Sequence, residues 1–201
     1  IAVQIGAYLG YLTFGFIADR LGRRNTFILF MVVAAALVPA YGQMARNPLM
    51  LLLLGLIFIH ACILMLGGHY SYARVPLGDW MRDWFHLARN PYDGIGHLAQ
   101  GFIPAIAARE LLLRKTPLRA GGWMFTLVTA SCLAISAIYE LIEWQAAVWM
   151  GQGADEFLGA QGDPWDTQKD MALAWLGAML GQILLARIHD RAISRLNLAA
   201  R

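Results

Sequence analysis

Two glutamates, Glu140 and Glu143, sit inside an apolar run long enough to cross a bilayer. A carboxylate at such depth costs about 2.5 kcal/mol or more to insert unless it faces a partner or a cavity, which makes both residues functional candidates. Spaced i, i+3, they share a helix face with Ser136 and could bind one cation or share one proton. A second run opens with Asp93-Gly-Ile-Gly-His97-Leu-Ala-Gln100. Helical periodicity gathers Asp93, His97, Gln100 and Pro104 on one narrow polar face of an otherwise apolar helix. A third pair, Asp166 and Asp170 at i, i+4, leads another run, and its face continues through Gly177 and Gly181. Small residues there allow close helix packing, which would bring Asp170 towards Glu140 and His97. The expected centre therefore comprises Asp93, His97, Glu140, Glu143, Asp166 and Asp170 around a divalent cation held mainly by oxygen ligands. Within it, Glu140, Glu143, His97 and Asp93 are the candidates for catalytic roles.

Simpler assignments compete at each position. Asp163 reads first as the cap of the last helix, with Pro164 in its first turn. Asp166 and Asp170 also complement a helix dipole. A lone histidine such as His97 is more often a hydrogen-bonded interior residue than a ligand. Glu140 and Glu143 resist the simple account best, because two neutral buried glutamates are harder to accommodate than one. His60 is expected in the interior, His69 and His86 in or beside an outer loop, and His189 in a solvated basic tail. With no second histidine at ligand spacing, a His-rich zinc or di-iron site is not indicated. The chain also lacks a Gly-x-Ser-x-Gly elbow, a phosphate loop and a dinucleotide fingerprint.

The elements that must carry these residues are membrane helices. The 201 residues are 59% hydrophobic and 14% charged, against about 25% charged in a soluble domain. Six apolar stretches appear: Ile1 to Phe16, Thr26 to Met44, Leu49 to Leu66, Gly94 to Leu113, Trp123 to Met150 and Met171 to Ile188. All but the first are long enough to span. The expected fold is all-α, a polytopic membrane bundle of five to six transmembrane helices, with Pro48 opening the third. Residues 78–84 should form an amphipathic interfacial helix with its tryptophans at the bilayer boundary. Cys62 and Cys132 lie in apolar runs and are expected as free buried thiols. The net charge of +3 is spread over short basic turns, which read as topology signals and not as a nucleic-acid surface. If every stretch spans, the Arg20–Arg24 turn lies opposite the Arg114–Arg119 turn and the basic tail. The latter two agree with each other, and they place the C-terminus in the cytoplasm and the acidic loops outside.

Two resemblances divide the chain near residue 55. The segment Gly15-Phe-Ile-Ala-Asp19-Arg20-Leu-Gly22-Arg23-Arg24 resembles the loop signature of major facilitator transporters, which implies a two-helix transporter-like piece over residues 1–55. From about residue 56 to the end, the chain resembles the YjdF-like family of bacterial inner-membrane proteins. That likeness rests on His69-Tyr-Ser-Tyr72-Ala-Arg-Val-Pro76, Arg89-Asn-Pro-Tyr-Asp93-Gly-Ile-Gly-His97, Tyr139-Glu140-Leu-Ile-Glu143-Trp144 and Gly162-Asp163-Pro-Trp165-Asp166-Thr-Gln168-Lys-Asp170. The chain is also similar, more weakly, to VanZ-like membrane proteins through its Asp-x-x-x-His helix start, a later Glu and an Asp-x-x-x-Asp before a Gly-rich helix.

Two functions remain open from the residues. One is an enzyme with a metal-assisted site at the outer membrane face, acting on a lipid or lipid-linked substrate. The other is a non-enzymatic membrane component, a proton or ion pathway or a scaffold.

Overall fold

The computed structural model describes residues 48–150 and 160–199, together with residues 17, 20–22, 25, 26, 29 and 32 near the N-terminus. Most of the two N-terminal apolar stretches, and residues 151–159 of the acidic loop, lie outside the described residues. The chain divides into two compact units, Ile1–Arg46 and Asn47–Arg201. In the first, Leu21 and Asn25 are helical and Gly22 between them breaks the helix with φ +79°, a left-handed conformation that costs glycine little. The amide and hydroxyl of Thr26 both donate to Gly22 O at 3.1 Å, starting the next helical turn.

The second unit is built from α1 (Pro48–Tyr70), a 3-10 turn (Tyr72–Arg74), α2 (Pro76–Phe85), α3 (Tyr92–Lys115), α4 (Gly122–Met150) and α5 (Asp166–Ala199). Pro48 opens α1 as expected, because a first-turn residue has no intrahelical N–H partner to lose. Among the described residues, three helices are long and apolar enough to cross a membrane: Leu52–Tyr70, Gly122–Trp149 and Asp166–Arg195. The expected span at Gly94 to Leu113 is not among them. Asp93, His97 and Gln100 at one end of α3 and Arg109, Glu110 and Arg114 at the other lower its hydropathy. This helix can be polar because its neighbours, not lipid, cover it: Gly96, His97, Gly101, Ile103, Ala105, Ile106 and Arg109 are all buried.

Glycines set how closely α3 and α5 approach. A Cβ at Gly101 would run into the Ala174 carbonyl, one at Gly177 into the Leu98 carbonyl, and one at Gly181 would stand 2.5 Å from the Phe102 carbonyl. The two helices run parallel, since Asp93 lies near Asp170 at one end and Arg109 meets Asp190 at the other. Twenty residues of helix separate Asp170 from Asp190, a rise of about 30 Å, the thickness of a hydrocarbon core. Helix α4 runs back between these ends. Gln182 of α5 donates to Thr129 Oγ1 at 2.9 Å and to Phe125 O at 3.2 Å near the start of α4, while Glu140 near its end reaches His97. Between the ends lies an apolar core of Ala105, Met124, Val128, Cys132 and Ala178. Both cysteines are free; Cys132 is buried and Cys62 half-buried.

The outer surface is apolar. Ile135, Ile138, Leu141 and Ile142 on α4 and Ile183 and Leu184 on α5 are all exposed, a cost in water and an advantage in lipid. Trp123 and Trp149 stand exposed at the two ends of α4, separated by about 39 Å of helix, close to the full bilayer with its interfaces. On α2, Trp80 and Trp84 pack at 5.8 Å and face outward, while Arg82 pairs with Asp79 and Asp83. This is the amphipathic helix expected at residues 78–84.

Two boundaries differ from the sequence reading. Helix α5 starts at Asp166, not at Pro164, because Asp163 accepts the Trp165 amide at 3.0 Å and so caps a turn one step earlier. It also continues through the supposed tail to Ala199. His189 is consequently fully buried and not solvated. Its Nε2 lies 3.6 Å from Glu110 Oε2, beside the Arg109–Asp190 pair at 2.7 and 2.9 Å.

Candidate functional site

The polar end of the bundle is assembled by the short loop of residues 86–91 between α2 and α3. Asn90, buried between α2 and α3, donates through Nδ2 to Val75 O at 3.0 Å and to Asp79 at 3.1 Å, and its Oδ1 accepts the Tyr92 amide at 3.0 Å. Its backbone exchanges two hydrogen bonds of 3.0 Å with the Gln161 side chain. A side chain at Gly78 would collide with Asn90. These contacts fix the start of α3 against both α2 and the segment leading into α5.

His97 projects from the first turns of α3 and is buried. Its Nε2 lies 3.7 Å from Asp93 Oδ1, one turn earlier, and 3.6 Å from Glu140 Oε1 on α4. Asp170, 2% exposed, arrives from α5. One ligand atom from each of Asp93, His97 and Asp170 lies within 4.8 Å of the others. Several of these atoms have no hydrogen-bond partner although buried: His97 Nδ1, Glu140 Oε1 and Asp170 Oδ1, with Ser136 Oγ one turn from Glu140. Buried polar atoms are nearly always paired, and each orphan carries a desolvation cost of about 1–3 kcal/mol. A cation among the carboxylates would remove it.

The other expected ligands are placed differently. Asp166 is hydrogen-bonded to Arg89 Nη1, which also donates to Ala160 O at 3.2 Å. Burial works against the Arg89 charge, but the bond and charge of Asp166, with Asp163 and Asp170 nearby, hold its pKa above the usual value. Asp163 lies 3.6 Å from Arg89 Nη2 and takes Lys169 Nζ at 2.5 Å. The Lys169 bond and the Trp165 amide hold the Asp163 carboxyl below the ordinary range. Thr167 stands beside Glu140, and Tyr139 beside Glu143. The structure therefore brings Asp93, His97, Asp170 and Glu140 together, sets Glu143 on an adjoining wall and turns Asp166 towards Arg89.

Two cavities of about 200 Å³ each meet at this cluster. The first lies between α1, α3 and α4 and is lined by His60, Leu64, Tyr72, Gly96, Pro104, Ile135 and Tyr139, with Asp93, His97, Gln100 and Glu143 at its polar end. The second faces the segment before α5 and is lined by Glu140, Glu143, Ala160, Asp163, Pro164, Asp166 and Thr167. Glu143 belongs to both. His60, expected simply as interior, contributes to the first cavity with a buried, unpartnered Nε2. Arg89 and Thr167 were not singled out from sequence. The signal for Arg89 was a basic residue directly before an acidic helix start, opposite an aspartate-rich loop.

A family described as "Predicted membrane protein (DUF2238)" has a sequence model that matches residues 2–191. The chain belongs to this family. It is also 56% identical over 153 residues to the Inner membrane protein YjdF of Escherichia coli (strain K12), covering 76% of this chain and 73% of that protein. No solved structure matches. The DUF2238 match begins at residue 2. Residues 2–55 fall within the matched range, and their likeness to major facilitator transporters is not supported. The VanZ-like similarity is not supported either. As a DUF2238 member with three helices fit to span, the protein is an integral membrane protein similar to an inner-membrane protein.

Proposed function

We propose that the carboxylate–histidine cluster is a divalent-cation centre of an enzyme acting on a lipid or lipid-linked substrate at the outer face of the inner membrane. The observation that carries this reading is the convergence of Asp93, His97 and Asp170, from two helices, on one point within 4.8 Å, with Glu140 against the same imidazole. One nitrogen and several carboxylate oxygens suit Mn²⁺, Mg²⁺ or Zn²⁺ better than a thiol-seeking metal. The cation would polarise a phosphoryl or carbonyl oxygen of the substrate. Glu143, outside the ligand set and lining both cavities, is placed to move a proton. A proton pathway finds less support, because Ala105, Met124, Val128 and Ala178 fill the middle of the bundle. The outer-face assignment draws on the basic residues of α5 and the α3–α4 turn at the opposite end.

The test is metal analysis of protein purified without chelator and of the same protein after incubation with each cation. Wild type should hold about one cation per chain, while His97→Ala and Asp170→Asn should lose it and still elute as folded protein. Wild type that stays metal-free after incubation would end the proposal.

A further inference from the structure

The first cavity has an unusual mouth. Leu64 of α1 and Ile135 of α4 line it and are at the same time 40% and 51% exposed. Both belong to the apolar outer surface, where Ile57, two turns from Leu64 on α1, and Ile138, one turn from Ile135 on α4, are exposed as well. In a bilayer these rim residues touch hydrocarbon, so the cavity opens sideways into lipid. Inward from the rim its wall is largely apolar, with Pro104 and the Tyr72 and Tyr139 rings, and it ends at Asp93, His97 and Glu143. The second cavity shares Glu143 with the first, touches Glu140 beside it, and is walled by Asp163, Asp166 and Thr167. The cluster thus has an apolar approach from the side and a polar one from the end of the bundle.

We infer that the cavity between α1, α3 and α4 is the seat of a lipid hydrocarbon chain that enters sideways between Leu64 and Ile135. The chain lies along Pro104 and Tyr72, and its polar head reaches the carboxylate–histidine cluster. The occupant is a membrane lipid and not a water-soluble molecule, because burying alkyl surface in this cavity exchanges hydrocarbon for a protein wall without crossing water. An anionic head would be repelled by Asp93, Glu140, Glu143 and Asp170 alone, so a cation between them would tighten its docking, while the apolar wall holds the acyl chain with or without it. Gly96 keeps the passage open: a side chain there would approach the Tyr72 ring, 3.7 Å from the new Cβ, and narrow the cavity. This inference rests on the reading of the cluster as the reacting centre.

The experiment reconstitutes the full chain in phosphatidylethanolamine–phosphatidylglycerol vesicles. These are doped with a phosphatidylglycerol that carries a diazirine at the end of one acyl chain. After irradiation, labelled peptides are mapped by mass spectrometry. Wild type should be labelled at His60 or Pro104 within the cavity as well as at Ile183 and Leu184 on the outer surface. Ile135→Trp, and separately Leu64→Trp, should reduce cavity labelling several-fold and leave the outer surface unchanged. Both positions are exposed, so the added indole threatens the fold little. Cavity peptides left unlabelled in wild type, or labelled equally in both variants, would overturn the inference. Metal content is read on the same samples. A cation bound without cavity labelling defeats the lipid seat alone, and cavity labelling without a cation defeats the metal centre alone.

Discussion

Arg109 and Asp190 meet at the end of the bundle opposite the candidate centre, where the guanidinium is almost completely buried and the carboxylate is partly exposed. Removing one partner of such a pair leaves a buried charge uncompensated, which costs far more than the pair itself contributes. Asp190→Ala should therefore destabilise the protein by about 3 kcal/mol, read as a lowered unfolding midpoint in detergent. The double change Arg109→Met with Asp190→Leu should recover much of that loss. Restoration of stability only by a charged partner would mean that the pair contributes more than neutralisation. At the centre itself, sequence spacing supplied His97 with Asp93 and isolated Glu140 and Glu143, because a costly polar residue inside an apolar run is visible in one dimension. It could not show that Asp166 turns to Arg89, since that contact crosses seventy-seven positions.

The α3–α5 pair carries the site as an element. Asp93 and His97 come from one helix and Asp170 from the other, so their spacing depends on how closely the two backbones approach. Gly177 touches the Leu98 carbonyl with no room for a methyl group. Gly177→Ala should push the helices apart and cost about 1–3 kcal/mol, the range for forced overpacking. It should also weaken cation retention, although position 177 lies away from every ligand. Gly55→Ala on α1, where a Cβ meets nothing within 4 Å, is the matched control and should change neither. Equal behaviour of the two variants in thermal unfolding and metal content would remove the packing argument. The Gly177–Gly181 face was legible as a stripe of small residues. Which of the helices carrying His97 and Glu140 it packs on was not, because small residues show that something packs closely without choosing between neighbours.

At the scale of the molecule, three apolar helices among the described residues, exposed tryptophans near both ends of α4 and a polar centre at one end define a bilayer protein with a direction. Arg114, Lys115 and Arg119 around the α3–α4 turn and Arg187, Arg191 and Arg195 of α5 lie towards the end away from the centre, and positive residues are retained in the cytoplasm. A green fluorescent protein fused at the C-terminus should therefore fluoresce, and alkaline phosphatase fused there should be inactive. The reverse pattern would move the centre to the cytoplasmic face and withdraw an outer-face substrate.

The sequence by itself determined the solvent, the helices and the residues worth attention, because each depends on local composition and period. Apolar length sets a span, alternation of faces sets a polar stripe, and the cost of charge in lipid marks Glu140 and Glu143. Only the tertiary structure decided what depends on neighbours. It showed that α3 is polar because protein encloses it. It also buried His189 in a helix that runs on past its apolar segment, and gathered Asp93, His97, Asp170 and Glu140 while assigning Asp166 to an arginine. Burial and pairing are properties of three helices meeting, and no single stretch of chain contains them.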